Sequence, residues 1–211
     1  MARARVIAVD GPAASGKGTL ARRLATHYRL SFLDTGKLYR AVAARLLGAG
    51  LDPNDAVVAA EIAASLEPDD MDRADLRSER VSQAASIVAA HPGVRSALLN
   101  YQRRYGRSPP GAVLDGRDIG TVVFPDAEAK IFVTASLEIR ATRRVKQLRE
   151  KGNKAIESRV LEEMAERDAR DGSREVAPLK PADDALVIDT TDLGPDEVFH
   201  RAVGFIDSKG G

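Results

Sequence analysis

A glycine-rich segment near the N-terminus places the strongest constraint on how this chain can fold. It follows a short apolar run, Val6 to Val9, that is typical of a buried strand. After it, Leu20, Leu24 and Tyr28 recur every four residues, which predicts a helix. The segment itself reads Gly11-Pro12-Ala13-Ala14-Ser15-Gly16-Lys17-Gly18-Thr19. The pattern Gly-x4-Gly-Lys between a strand and a helix predicts a loop whose backbone N–H groups surround phosphate oxygens.

Short apolar runs alternate with helical patterns along the rest of the chain. We predict strands at 6–9, 32–33, 112–114, 130–133 and 186–188. Helices are predicted from residue 17, then over 37–47, 53–66, 82–90, 94–105, 137–150 and 155–169, and after residue 195. This alternation predicts one α/β domain spanning 1–211, with a parallel sheet flanked by helices.

Polar residues follow three of the predicted strands. They are Asp10-Gly11, Asp34-Thr35 and Asp115-Gly116. Ligands of parallel sheets bind beyond the carboxyl ends of the strands, so we expect these residues to share one binding rim.

Composition excludes several classes of function. The net charge is +1 over 211 residues, which gives no global field for binding nucleic acid or a membrane surface. The chain has no cysteine, which excludes disulfides, thiolate nucleophiles and Cys-ligated zinc. Three histidines lie far apart, at positions 27, 91 and 200, and form no metal-ligand spacing. With neither a signal peptide nor a membrane-length apolar run, we expect a cytoplasmic protein, and we expect it to be a monomer.

The end of the glycine-rich segment departs from the general pattern of phosphate-binding loops. A Ser or Thr usually follows the lysine directly and binds Mg²⁺. Here Gly18 takes that position, and the hydroxyl comes one residue later, at Thr19. Asp115, at the end of an apolar strand, is the carboxylate we expect to hold Mg²⁺, largely through water; the alternative is a turn residue before Gly116. Asp115 and Thr19 are the metal-binding candidates, and Lys17 is the charge placed on the phosphates.

Several stretches of the chain resemble one family closely. They are Ile7–Pro12, Leu33–Gly36, Tyr39-Arg40, Gln83–Ser86, Val94-Arg95, Asp115–Pro125, Glu166–Asp171 and Arg174–Pro178. Together they resemble the bacterial cytidylate kinases, P-loop nucleoside monophosphate kinases, over nearly the whole length. The most discriminating segment is Asp115-Gly116-Arg117-Asp118, where adenylate kinases carry Asp-Gly-x-Pro-Arg instead.

The resemblance implies an acceptor pocket for CMP or dCMP and a donor site for ATP with Mg²⁺. Thr35 matches a Ser or Thr of the acceptor site, and Arg40 lies just beyond it. Ser86, Arg95 and Asp118 match residues that read the cytosine. The ATP site would be the glycine-rich loop from Gly11 to Thr19.

The resemblance also implies a group of arginines on the phosphates. These are Arg117, Arg167 and Arg174, and with Lys17 they are the catalytic candidates; Asp171 matches a carboxylate near the sugar of the acceptor. Arginine suits this work because its planar fork binds phosphate bidentately and keeps its charge. Composition alone favours another interpretation of this run, a solvated helix face with i,i+3 and i,i+4 pairs. The resemblance reverses that preference for Arg167, Asp171 and Arg174 but not for Arg170.

Two segments are expected to close over the substrates. The resemblance places an acceptor-binding insert at about 50–95, reduced here because 67–79 is short, polar and without strand character. It places an ATP lid at about 150–165, beyond a break at Lys151-Gly152-Asn153. The basic residues of the preceding helix are Arg140, Arg143, Arg144, Lys146 and Arg149. Some of them would reach ATP, and the sequence does not distinguish which.

Three functions stay open from the residues. The first is ATP-dependent phosphorylation of CMP and dCMP by direct in-line transfer, within pyrimidine nucleotide metabolism. The second is the same chemistry on another monophosphate such as UMP; Asp118 with Arg95 favours cytosine. The third is an ATP-binding regulatory module without turnover, which loss of Lys17 or the arginines would have indicated.

Overall fold

Five strands form one parallel sheet within residues 4–150, 152 and 154–209, which the computed structural model describes. They are β1 (Arg5–Asp10), β2 (Ser31–Asp34), β3 (Gly111–Gly116), β4 (Ala129–Thr134) and β5 (Leu186–Asp189). Their order is β2-β3-β1-β4-β5, and each neighbouring pair runs parallel. The central strands β1 and β3 are buried almost throughout, as expected for strands covered on both faces. The predicted α/β fold is confirmed.

Helices connect the strands in the predicted order. They are α1 (Lys17–Tyr28), α2 (Thr35–Gly48), α3 (Ala56–Ala64), α4 (Glu79–Val88), α5 (Pro92–Arg107), α6 (Leu137–Glu150), α7 (Glu157–Gly172) and α8 (Pro195–Lys209). α3 begins later than predicted because the Asp55 carboxylate accepts hydrogen bonds from the N–H groups of Val57 and Val58. α2 begins earlier, directly at the end of β2. None of the helices in the described ranges is both long and apolar enough to cross a membrane.

Alternate residues of β1 build two separate apolar layers. Ile7 and Val9 belong to a buried cluster that includes residues of α1 and α8. Val6 and Ala8 belong to a second cluster on the opposite face, where Leu99 and Tyr105 of α5 pack. Successive side chains of a strand point to opposite faces, so this strand anchors both layers.

The segment from 50 to 95 is helical, with two 3₁₀ turns at Pro68–Asp72 and Ala74–Arg77 between α3 and α4. No described residue in it belongs to a strand, in line with the irregular structure predicted for 67–79. It shares an apolar cluster with α2 and α5. That this segment closes over an acceptor stays a prediction.

α6 and α7 pack together through a third apolar layer that touches the glycine-rich loop. Val145 and Leu148 of α6 meet Val160 and Met164 of α7, and Ala13 and Ala14 pack against them. Of the predicted break between these helices, Lys151 and Asn153 lie outside the described residues. Gly152 has a φ of +78°, a left-handed conformation that suits glycine.

Strand register brings the three predicted polar strand ends together. Asp34 of β2 lies opposite Asp115 of β3, and Asp10 of β1 lies opposite Gly116. Neighbouring strands are separated by about 4.8 Å, so these carboxylates share one edge of the sheet. The expected rim is therefore present, with the glycine-rich loop leaving β1 beside it.

Gly106 allows α5 to approach the sheet closely, and we expect Gly106→Ala to destabilise the fold. A Cβ there would lie 2.5 Å from Cζ of Phe124 and 3.3 Å from Cδ1 of Leu114, both buried. Overpacking of this kind costs about 1–3 kcal/mol. The measurement is the free energy of unfolding in urea.

Gly204 in α8 is the matched control, because a Cβ there would meet nothing within 4 Å. Gly204→Ala should raise the free energy of unfolding by up to about 1 kcal/mol through helix propensity. Equal stability of the two alanine variants would contradict the packing interpretation.

Candidate active site

A cavity of about 370 Å³ opens at the carboxyl ends of the strands. Its walls come from the glycine-rich loop, the start of α2, α4, α5, the residues after β3, and the facing sides of α6 and α7. The predicted residues that line it are Ala13, Ala14, Gly16, Lys17, Gly18, Thr19, Thr35, Arg40, Ser86, Arg95, Asp115, Arg117, Asp118, Arg167, Asp171 and Arg174. The fold thus assembles in one cavity residues that lie far apart in sequence, from Ala13 to Arg174.

Three of the predicted loop residues, Gly11, Pro12 and Ser15, are buried and shape the loop from behind the cavity lining. Gly11 has a φ of +149°, and a Cβ on it would lie 2.0 Å from the carbonyl oxygen of Val133. Only glycine fits between the loop and β4 at this point.

The N-terminus of α1 faces the cavity without a cap. Gly16 precedes it with a φ of +93°, and no side chain among the described residues accepts a bond from its first turn. Free N–H groups at a helix start attract an anion through hydrogen bonding and the helix dipole. Lys17 adds a full charge there, although its Nζ donates to the Pro12 carbonyl oxygen at 2.9 Å.

The cations of the cavity perturb one another. Burial and the charge of Arg117 lower the pKa of Lys17 to about 8. Burial and the same Arg117 lower the pKa of Arg167 to about 10. Burial also lowers the pKa of Arg174. Like charges held this close favour binding of a polyanion, which would relieve their repulsion.

Asp171 is the counter-ion of this group and is only 1% exposed. Its carboxylate lies 3.1 Å from Nε of Arg117 and 4.0 Å from Nε of Arg167, and it also pairs with Arg174. Burial opposes its charge, yet Arg117 and Arg174 hold its pKa below the usual value. The Nε atoms of Arg167 and Arg174 have no hydrogen-bond partner among the described residues. The predicted contact of Asp171 with a sugar stays a prediction.

The three residues predicted to contact the cytosine, Ser86, Arg95 and Asp118, are buried and line the cavity. Arg95 and Asp118 form a buried ion pair with 8% and 5% of their surfaces exposed. Ser86 is equally buried and accepts a hydrogen bond of 3.4 Å from Nε of Arg170. Arg170 was expected on a solvated face; it is half-buried because the turn of α7 that carries it packs against α4. The guanidinium of Arg95 also lies 5.7 Å from the ring centre of Tyr39.

Thr35 and Arg40 are both engaged by neighbours at the strand ends. The Thr35 hydroxyl donates to the carbonyl oxygen of Asp115 at 2.8 Å. Arg40 donates to Asp34 at 2.8 Å and, despite the opposing effect of burial, keeps the pKa of Asp34 below its usual value. Asp34 therefore holds Arg40 against the cavity wall.

The metal candidates provide a site with few protein ligands. Asp115 is buried, and burial together with Asp34 raises its pKa. A Cβ on Gly18 would lie 2.9 Å from Oδ2 of Asp115, so glycine after the lysine keeps that oxygen accessible from the loop. Thr19 lines the same cavity. Among the described residues, no group of three His, Cys, Asp or Glu could hold a metal. The Asp115 carboxylate and the Thr19 hydroxyl are oxygen donors, the kind that fits Mg²⁺.

The basic side chains of α6 fall into three groups. Arg140 and Arg143 donate to backbone carbonyl oxygens beside the glycine-rich loop. Arg144 lines the cavity. Lys146 and Arg149 are exposed. Of the five residues that the sequence did not distinguish, Arg144 is the one that faces the cavity.

Two polar contacts that the sequence interpretation missed join α4 to the helices across the cavity. Glu79 pairs with Arg144, and Gln83 donates to Glu163 at 3.2 Å. The sequence did contain a sign of these contacts, because Glu79, Gln83 and Ser86 are spaced four and three residues apart. That spacing places them on one helix face, so a predicted role for Ser86 also pointed to the other two.

The family model described as cytidylate kinase matches residues 7–208. A cytidylate kinase from Paramagnetospirillum magneticum is 58% identical over 207 residues, which cover 97% of this chain and 98% of the relative. One from Methylocella silvestris is 57% identical over 203 residues, which cover 96% and 94%. A crystal structure of an uncharacterised protein from Eubacterium ventriosum superposes with a TM-score of 0.56 at 17% identity, covering 97% of this chain and 99% of that one, and bears on the fold alone. Likeness this high along almost the full length is that of one family, and this chain belongs to the cytidylate kinases.

Proposed function

We propose that this protein transfers the γ-phosphoryl group of ATP to CMP and dCMP, giving CDP and dCDP. The observation that carries the proposal is the cluster of Lys17, Arg117, Arg167 and Arg174 around one cavity, with the pKa values of three of them lowered. Two polyanionic nucleotides repel each other, and a cavity that is already crowded with positive charge offsets that repulsion. Membership of the cytidylate kinase family supports the choice of nucleotide.

The donor phosphates would bind at the loop before α1. The free N–H groups of that loop and the Lys17 ammonium would hold the β- and γ-phosphoryl oxygens. Arg117, Arg167 and Arg174 would contact the acceptor phosphate and the transferring group, where negative charge spreads in the transition state. Asp171 would keep the three guanidinium groups oriented before the substrates arrive.

The cytosine would bind beside Ser86, Arg95 and Asp118. Cytosine presents an amino donor at N4 next to acceptors at N3 and O2. The Asp118 carboxylate would accept from N4, and the Arg95 guanidinium would donate to N3 or O2. Because the two side chains already form an ion pair, the base would insert into a pre-oriented pair of opposite charges.

Mg²⁺ would accompany ATP, with Asp115 and Thr19 as the residues nearest to it on the protein side. When bound, it would supply positive charge that offsets the negative charge of the transferring phosphoryl group. Asp115 would hold its water ligands, and Gly18 leaves the space for this. A cytoplasmic location and a monomeric state stay predictions.

UMP phosphorylation is the second candidate within the same chemistry. Uracil carries a carbonyl at position 4 and an N–H at position 3, so Asp118 would face an oxygen and Arg95 an N–H. An ATP-binding module without turnover is disfavoured because Lys17 and the three arginines all line the cavity. Coupled ADP release measured with CMP, dCMP and UMP distinguishes the three functions.

Lys17→Ala should lower kcat by at least about 10²-fold, because a fixed charge on the transferring group supplies several kcal/mol of transition-state stabilisation. The assay is steady-state ADP release, with thermal unfolding to establish that the variant folds. Lys146→Ala is the control, since that lysine is exposed on α6. A folded Lys17→Ala protein with near-normal kcat would overturn the assignment of the loop.

Asp115→Asn should raise the Mg²⁺ concentration needed for half-maximal rate more than it changes the KM for CMP. The amide cannot match the carboxylate as an acceptor from metal-bound water. Mg²⁺ titrations at saturating ATP and CMP measure this. Asp184→Asn serves as control, because that exposed carboxylate pairs with Lys130 away from the cavity. An unchanged titration would remove Asp115 from the metal site.

The wild-type protein should prefer CMP to UMP by at least roughly 10²-fold in kcat/KM, within the range that hydrogen-bonding pockets achieve. Asp118→Ala should narrow that ratio, mainly by damaging the use of CMP, because it removes the acceptor for N4. Asp196→Ala, which alters an exposed carboxylate of α8 paired with Arg23, is the control. If Asp118→Ala lost activity on both nucleotides by the same factor, Asp118 would only support the loop.

A further inference from the structure

Asp10 is a buried carboxylate at the end of β1 that does not line the cavity. It immediately precedes Gly11 and is 5% exposed. Its Oδ1 accepts a hydrogen bond of 2.8 Å from the N–H of Ile119, and its Oδ2 accepts one of 2.7 Å from the N–H of Gly120. One side chain therefore joins the start of the phosphate-binding loop to a segment more than a hundred residues away.

The segment held by Asp10 directly follows Arg117 and Asp118. Ile119–Val123 forms a single π-type turn, and the Asp118 carbonyl oxygen accepts from the N–H groups of Val122 and Val123 at 2.9 and 3.1 Å. The first N–H groups of such a turn have no partner within the turn itself. Asp10 satisfies two of them and so fixes the backbone that leaves Asp118.

Hydrogen bonds from backbone N–H groups are the contacts that stabilise the Asp10 carboxylate. Among the described residues it has no ion pair, and the neighbouring Lys130 directs its Nζ to the Pro125 carbonyl oxygen at 2.6 Å and to Asp184 at 2.8 Å. Burial raises the pKa of Asp10 to about 7 although the two N–H groups oppose this. An unpaired buried carboxylate is costly, so stability alone does not favour it over a neutral residue.

We propose that Asp10 is a positioning residue for nucleobase recognition. Its two oxygens accept hydrogen bonds from two consecutive N–H groups. These bonds set the position of Asp118 relative to Arg95 and to the loop that follows β1. This inference rests on the proposed function, in which Asp118 contacts the base.

Asp10→Asn tests these two hydrogen bonds with little change in the shape of the side chain. The amide keeps one acceptor and turns an NH₂ donor toward an N–H, so one of the two bonds is lost. We expect the CMP-to-UMP ratio of kcat/KM to fall by about 10-fold, the effect of one mispaired buried polar group. The KM for ATP should change by less than about 2-fold, since the phosphate-binding N–H groups and Lys17 are untouched. Asp207→Asn, at an exposed carboxylate bonded to Tyr28, is the matched control and should match the wild type.

A second variant changes the other partner of the bond. A Cβ on Gly120 would lie 3.4 Å from Oδ2 of Asp10 and 3.2 Å from Cγ and Cδ of Lys130. Gly120→Ala should therefore displace the Gly120 N–H that donates to Asp10, while residue 10 keeps its carboxylate. It should lower the same ratio and decides the question if Asp10→Asn fails to fold. A folded variant that loses CMP and UMP activity equally, or raises the KM for ATP instead, would overturn the positioning role. A wild-type protein without preference for CMP would instead overturn the proposed function.

Discussion

Mutual repulsion among buried cations is the constraint on which the rest of the cavity depends. Lys17, Arg117, Arg167 and Arg174 face one space, and Asp171 is the carboxylate that contacts three of them. Asp115 lies 4.0 Å from Nζ of Lys17 and adds a second carboxylate, so two acids face these four cations. Burial, together with the charge of Arg117, lowers the pKa values of Lys17 and Arg167. The fold therefore holds these side chains close together by packing and by hydrogen bonds, against burial and like-charge repulsion.

The parallel sheet provides that rigidity. Both faces of β1 are packed with apolar side chains, so its carboxyl end cannot shift without disturbing two layers. The loop carrying Lys17 leaves this strand through Gly11, wedged against the backbone of β4. The segment carrying Arg117 leaves β3, which pairs with β1 in register up to Gly116. Lys17 and Arg117 thus follow two adjacent strands of one sheet.

The sequence predicted the order of elements, the place of the glycine-rich loop between β1 and α1, and the shared edge of polar strand ends. These features depend on local spacing and on a general property of parallel sheets. It did not predict the hydrogen bonds of Asp10 with Ile119 and Gly120, because local sequence patterns carry no information about residues 109 positions apart. Nor did it separate Arg144 from the other basic residues of α6. Helical spacing fixes which residues share a face, but the face that meets the cavity is chosen by packing between α6 and α7.

Access to the cavity depends on the weakest contacts around it. α4 is joined to α6 and α7 across the cavity by the Glu79–Arg144 pair and the Gln83–Glu163 hydrogen bond. The side chains of Glu79 and Arg144 are 40% and 22% exposed, and ion pairs open to water contribute only about 0–1 kcal/mol. Separating α4 from α6 and α7 would break such links while leaving the apolar layers on the two faces of the sheet intact. Closure of these segments over a nucleotide stays a prediction, and the exposed polar links are the contacts that such a movement would break.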